Sequence, residues 1–267
     1  MNMLVCIKQV PDTTEIKINP ETNTLIRDGV PSIVNPFDAY ALECAAKLKD
    51  ANPGSKIVVV TMGPEQAKVA LKECLSVGGD KAYLITDRKF GGADTLATGY
   101  TLSQAMAKIE ELEGLKFDII FCGKQAIDGD TAQVGPQIAE HLKLANISYA
   151  EELEVKDGYI TVKRQYEDRY HMIKAKLPCL ITALAELNTP RYMTPGGIFD
   201  AYRTQEVKTL TRADLDVEDS NIGLKGSPTR VFKSFTKGVK GKGTIVTLDS
   251  QESADWIVAR LSEKFVL

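Results

Sequence analysis

No apolar run in these 267 residues approaches the roughly 20 that a membrane-spanning helix needs. The net charge of −3 offers no general attraction to nucleic acid or to an anionic bilayer. The opening MNMLVCIKQVPD lacks the long apolar stretch of a signal peptide. The expectation is a cytoplasmic protein with neither nucleic acid nor membrane insertion among its partners. Cysteine is sparse: Cys6, Cys44, Cys74, Cys122 and Cys179 lie far apart without a C-x-x-C pair. Their odd number and irregular spacing suggest neither a disulfide framework nor a zinc site. Histidine is scarcer still, with only His141 and His171, and neither has a nucleophile near it in sequence. There is no G-x-S-x-G, H-E-x-x-H, Walker loop or G-x-G-x-x-G. The run Ser76-Val77-Gly78-Gly79-Asp80 resembles a nucleotide-hydrolase phosphate loop, but it follows a helical pattern rather than the first strand. Internal repeats and low-complexity tracts are absent.

What remains is an ordinary globular composition, 43% apolar and 26% charged, able to fill a core. Residues 3–7, 56–61, 82–86 and 117–122 are short, continuously apolar runs rich in β-formers. Such runs fit strands covered on both faces, as in a parallel sheet. Between them, 36–50, 64–77 and 93–112 carry apolar residues at the helical period. Strand alternating with helix predicts an α/β fold, a doubly wound, mostly parallel, Rossmann-like sheet. Residues 13–29 interrupt it as a hairpin around a polar turn. Beyond residue 147 the segments 153–155, 159–162 and 170–175 predict a small antiparallel region, followed by a strand at 178–184 and a turn-rich run at 188–197. Residues 224–243 hold six basic residues (Lys225, Arg230, Lys233, Lys237, Lys240, Lys242) and no acid, which predicts an extended arm. A closing helix over 250–265 presents Ala254, Ile257, Val258, Leu261 and Phe265 on one face. The domain reading is a nucleotide- or flavin-binding unit over 1–205, including a loop at about 184–197, and an arm with its closing helix over 206–267.

In an open parallel sheet, ligands bind beyond the carboxyl ends of the strands, where the strand order switches. After the first strand, Lys8 is either a phosphate contact or a solvated strand end. In Asn35-Pro36-Phe37-Asp38, asparagine at an N-cap and proline at the first helical position start a helix, with Asp38 placed to complete the cap. The same helix start offers amides to an anion. In Thr61-Met62-Gly63-Pro64, glycine permits either close ligand approach or a tight turn. The loop Gly123, Lys124, Gln125, Ala126, Ile127, Asp128, Gly129, Asp130, Thr131, Ala132 and Gln133 is the most informative. It follows the most apolar strand and leads into a helix, so its amides favour a nucleotide. Its aspartates repel phosphate and point instead to ribose hydroxyls or to Lys124. Asp94 reads as an N-cap, with Thr95 and Thr98 on one face of the following turn.

The order Asn35-Pro36-Phe37, Gly123-Lys124-Gln125-Ala126-Ile127-Asp128, Lys176-Leu177-Pro178 and Leu187-Asn188-Thr189-Pro190-Arg191-Tyr192 resembles the electron-transfer flavoprotein beta subunit over nearly the whole chain. The resemblance implies a heterodimer with an alpha subunit carrying the transferring flavin, and a nucleotide site lined by Cys6, Asn35, Pro36, Phe37, Asp38, Met62 and the 123–133 loop. It also implies a recognition loop in which Leu187, Asn188, Pro190, Arg191 and Tyr192 meet a partner dehydrogenase, Leu187 as the apolar anchor. Members that hold AMP carry a cysteine where Asp38 stands and an acidic continuation without glycine after Ile127-Asp128. Asp128-Gly129-Asp130-Thr131-Ala132-Gln133, with Asp94, Thr95 and Thr98 upstream, is similar to the electron-bifurcating branch. There FAD replaces AMP, NADH donates hydride, and electrons pass to ferredoxin or flavodoxin and, through the alpha-subunit FAD, to an acyl-CoA dehydrogenase or similar flavoenzyme. The alternatives are a non-bifurcating carrier with structural AMP and, more distantly, a stand-alone nucleotide-binding sensor or hydrolase.

Overall fold

A computed structural model describes residues 1–12, 31–229, 232, 241 and 243–267. The hairpin expected over 13–29 lies outside the described residues, as do Arg230, Lys233, Lys237, Lys240 and Lys242 of the basic arm. In chain order the first elements are β1 (Asn2–Cys6), β2 (Gln9–Pro11), β3 (Ser32–Val34), α1 (Pro36–Ala51), β4 (Lys56–Met62), α2 (Lys68–Val77), β5 (Lys81–Ile85), α3 (Thr95–Glu113), β6 (Ile119–Gly123) and α4 (Val134–Leu142). They are followed by β7 (Ala145–Lys156), β8 (Tyr159–Gln165), β9 (Tyr170–Lys176), β10 (Cys179–Ala183), α5 (Pro195–Arg203), β11 (Val207–Leu210) and α6 (Ser250–Glu263).

Nine strands form one sheet in the order β11-β5-β4-β1-β6-β10-β7-β8-β9. All pairings from β11 to β7 are parallel, and only β7–β8 and β8–β9 are antiparallel. The chain steps outward from β1 to β4 and β5, then returns to place β6 on the other side of β1. That return is the switch in strand order, and it opens a crevice beyond the ends of β1 and β6.

The apolar runs of β1, β4 and β6 are buried on both faces because helices cover both. Met3, Val5, Ile57, Val59, Ile119 and Phe121 pack with Ala41, Leu42, Leu71 and Ala201 on the side of α1, α2 and α5. Leu4, Val58, Val60 and Ile120 pack with Leu102, Met106, Ile109 and Ile138 on the side of α3 and α4. Each fully buried side chain of this size contributes roughly 1.5–3 kcal/mol. All five cysteines are buried thiols within these layers.

Three differences from the sequence reading follow from local chemistry. Gly63-Pro64 delays the second helix: a 3₁₀ turn over Glu65–Ala67 precedes α2. The strand expected at 153–155 is the far half of the 12-residue β7, whose first half pairs parallel with β10 and whose second pairs antiparallel with β8. The segment expected to begin an arm at 206 instead enters the sheet as β11, and Leu215, Val217 and Ile222 beyond it are buried in the α3 layer. Val207 and Leu210 point inward, while Lys208 and Thr209 between them are exposed. Two apolar anchors are enough for an edge strand. The α6 helix has no buried residue, and Ile257, Val258 and Phe265 are exposed. No helix among the described residues is long and apolar enough to cross a membrane.

Candidate functional site

The crevice floor is tied together by the first turn of α1. Asn35 stands at the N-cap position, but its side chain makes no capping bond. Its Nδ2 donates to Gln125 O at 2.8 Å, and its Oδ1 accepts from Ile127 N at 3.1 Å. Asp38 does not complete the cap either. Its buried carboxylate accepts from Lys8 N at 2.7 Å and from Gly123 N at 3.0 Å, joining the ends of β1 and β6. Burial pushes the Asp38 carboxyl up to about 7, against the opposing pull of the Lys8 amide, Asn35, the Gly123 amide and the Lys8 charge. Gly123 is required here, since a Cβ on it would lie 2.7 Å from the Phe37 backbone and press on Asp38 Oδ1.

Above the floor runs the 124–133 loop. Asp128, expected on a ribose or on Lys124, is paired with Lys8 at 2.6 Å. Asp130 Oδ1 accepts from Gln125 Nε2 at 2.7 Å. Asp130 and Ala132 hold φ of 53° and 54°, left-handed conformations that non-glycine residues rarely adopt. The amides of Thr131, Ala132 and Gln133 donate to no acceptor among the described residues. They precede α4, whose N-cap Gln133 gives no side-chain cap. Successive unengaged amides at a helix start form a concavity suited to a phosphate. Gly129 faces open space, since an added Cβ would meet nothing within 4 Å. Gly129→Ala is therefore expected to leave thermal stability within about 0.5 kcal/mol while lowering nucleotide retention. A retained nucleotide after gel filtration of the variant would refute a ligand contact there.

The remaining residues of the sequence reading fall around this crevice. Thr95 Oγ1 donates to Gln133 Oε1 at 2.8 Å, bringing the start of α3 to the loop. Asp94 caps α3 through Ala97 N and also accepts from Thr229 N. Burial opposes ionisation of Asp94, but these amides together with those of Leu96 and Ser227's hydroxyl hold its carboxyl below the usual range. Thr98 sits half-buried one turn on. Met62 lines a small crevice of 110 Å³ with Lys8, Thr61 and Pro64. The Cys6 thiol is buried against Cys122. Their mutual hydrogen bond and burial push it well above its ordinary value.

A strip of alternating cations and rings, absent from the sequence reading, leads away from Phe37. Lys124 Nζ lies 6.0 Å from the Phe37 ring and 5.5 Å from that of Tyr149. The Arg164 guanidinium lies 5.9 Å from Tyr149 and 4.6 Å from Tyr166. Tyr149 holds φ of 59° at a bulge in β7, where its amide donates to Thr182 Oγ1 at 2.9 Å. Neither Lys124 nor Arg164 has a carboxylate partner among the described residues, and Arg164 Nε is buried without an acceptor. The sequence signal was faint: a tyrosine and an arginine 15 positions apart on strands whose pairing only the bulge defines.

In the loop at 184–197, Arg191 forms a hydrogen-bonded ion pair with buried Glu43 at 2.8 Å and reaches Asp50 at 2.8 Å. Asn188 Nδ2 donates to Tyr40 O at 2.9 Å. These two residues fasten the loop to α1. Leu187 is half-buried against the core, while Tyr192 is 95% exposed. Pro190 lies between them, half-buried.

Known proteins give this geometry its context. Residues 22–215 match the electron transfer flavoprotein domain. An electron transfer flavoprotein subunit beta of Clostridium acetobutylicum is 52% identical over 264 residues, covering 99% of each chain. The caffeyl-CoA reductase-Etf complex subunit CarD of Acetobacterium woodii is 50% identical over 268 residues and 100% of each chain. The acryloyl-CoA reductase electron transfer subunit gamma of Anaerotignum propionicum is 43% identical over 273 residues, again 100% of each. End-to-end identity of this order, on a switch-point crevice whose loop leaves amides open to a phosphate, places the chain in the electron transfer flavoprotein family as a beta subunit.

Proposed function

We propose that the crevice between β1 and β6 holds the ADP half of a FAD and that the chain works in a cytoplasmic heterodimer with an alpha subunit. The observation that carries this reading is the run of open amides at Thr131, Ala132 and Gln133 before α4. In it, those amides take the pyrophosphate, and Asn35 and Lys8 hold the loop in place from below. Gly129 leaves the approach clear. Held there by the 123–133 loop, a FAD would supply two-electron chemistry with NADH as donor and ferredoxin or flavodoxin and, through the alpha-subunit FAD, an acyl-CoA dehydrogenase or similar flavoenzyme as acceptors. The chain's own part is to bind, orient and set the electrostatics. Lys124 and Arg164 supply positive charge beside Phe37 and Tyr149.

Two further features support the assembly. The exposed apolar face of α6 suits docking on the alpha subunit. The fastened 184–197 loop exposes Tyr192 and carries half-buried Leu187 as the apolar anchor for a partner flavoenzyme. The full-length likeness to subunits named for caffeyl-CoA and acryloyl-CoA reductases favours a partner acting on an acyl-CoA. Denaturing the purified heterodimer and counting nucleotides tests the reading. Two FAD and no AMP are expected, whereas one FAD with one AMP would leave a simple carrier with a structural nucleotide.

A further inference from the structure

The end of β1 and the end of β6 flank the switch point, where a doubly wound sheet ordinarily receives the ligand's anion. Here both backbone donors that face that point are already taken. Lys8 N and Gly123 N each donate to one oxygen of Asp38, at 2.7 and 3.0 Å. The start of α1 is largely closed as well, with the Phe37 amide left without an acceptor among the described residues. Pro36 has no N–H, and the amides of Asp38 and Ala39 both donate to Asn35 O, at 2.9 and 3.1 Å. We propose that Asp38 is a resident anion that closes the switch-point amides to phosphate and so displaces a nucleotide's phosphates to the amides of Thr131, Ala132 and Gln133. The inference rests on the reading of this crevice as an adenine-nucleotide site, and it makes Asp38 a residue that positions the ligand rather than one that binds it.

The local charges fit this role. Lys8, from the end of β1, is the cation facing Asp38, and its ammonium is already paired with Asp128 at 2.6 Å. The Cys6 thiol on β1 is raised chiefly by its hydrogen bond to Cys122, and the Cys74 thiol on α2 chiefly by burial, each with a smaller contribution from the Asp38 charge. A phosphate at the floor would meet an ionised carboxylate beside a lysine already paired with Asp128, while the Lys124 ammonium, unpaired among the described residues, lies over the Phe37 and Tyr149 rings. On the loop it meets amides that have no acceptor among the described residues. Burial raises the Asp38 carboxyl to about 7, so the exclusion is strongest above that pH.

Asp38→Asn removes the charge while keeping the volume. The test titrates AMP and adenosine into the nucleotide-stripped complex of this chain with its alpha subunit, wild type and variant, at pH 8 and pH 6. At pH 8 the variant is expected to gain on the order of tenfold in AMP affinity relative to adenosine, the effect of one charge pair about 10 Å apart in a medium of dielectric about 20. At pH 6 the wild-type carboxyl is largely neutral and the gap is expected to close. AMP and adenosine affinities that shift together, as a purely structural role would produce, overturn the proposal. So does a ratio that is the same at both pH values. Asp38→Ser, read by the same ratio, serves if the asparagine variant folds poorly. Failure of the wild-type complex to bind either ligand sinks the nucleotide reading itself, and this proposal with it.

Discussion

Gly123→Ala is expected to cost about 3 kcal/mol of stability and to strip nucleotide from the purified complex. The added methyl would lie 2.7 Å from both the carbonyl carbon and the Cβ of Phe37 and closer still to Asp38 Oδ1. None of these atoms is the free end of a flexible chain. Phe37 is in the first turn of α1, and the Asp38 carboxylate is held by two amides. Nor can β6 retreat, because it lies between β1 and β10 with parallel pairing on both sides. Relief therefore requires the end of α1 to lift from the sheet, breaking the Gly123–Asp38 bond and with it the anchor of the 124–133 loop. Urea unfolding of wild type and variant measures the first effect, and absorbance of released nucleotide measures the second. Unchanged values for both would mean that α1 and β6 are not locked together at this point. The contrast with Gly129→Ala is the informative part: two glycines of one loop, one pressed against protein and one open.

The second large effect is on pH dependence. The Asp38 carboxyl has an ordinary value of 3.8 and is raised to about 7 in the folded protein by burial. Below the unfolded value both states hold the proton. Between about pH 4 and pH 7 the folded state keeps a proton that the unfolded chain has released, so stability falls as pH rises and levels off above 7. The full swing corresponds to about 4 kcal/mol, and Asp38→Asn is expected to abolish it. The variant loses one amide acceptor, so it is the less stable protein near pH 4. It should overtake wild type as the pH passes 7. Unfolding free energies at half-unit intervals check this, and parallel profiles would show that the Lys8 and Gly123 amides hold the carboxylate ionised throughout.

The parallel half of the fold was legible because burial on both faces leaves a mark that alternation cannot imitate. Runs such as Leu4-Val5-Cys6 and Ile119-Ile120-Phe121 have no polar member. The strand β11 was not legible, for its Val-Lys-Thr-Leu is too short and too polar to stand out. At the site, the loops were found from their position after strands, but the partners within them were not. Asn35 has the residue type and the place of an N-cap, yet its amide crosses to Gln125 and Ile127. Asp38 looks like a capping-box acid but bridges two strands. Local preference names the residues suited to a helix start and cannot see a stronger long-range acceptor or donor. Tyr149 and Arg164 lay beyond reach for a different reason: a bulge shifts the register that brings them together.

The burial of all five thiols bears on how this subunit is to be handled. Burial pushes Cys44 and Cys179 up to about 12, and burial also raises Cys74, while the contact with Cys122 raises Cys6. At these four, thiolate, the reactive species toward maleimides and nitroxide reagents, is then negligible at neutral pH, and Cys122 is buried from reagent. One cysteine introduced on the exposed face of α6 and another on exposed β9 would carry labels with little native background. The separation of those labels can be followed directly as the second subunit is added.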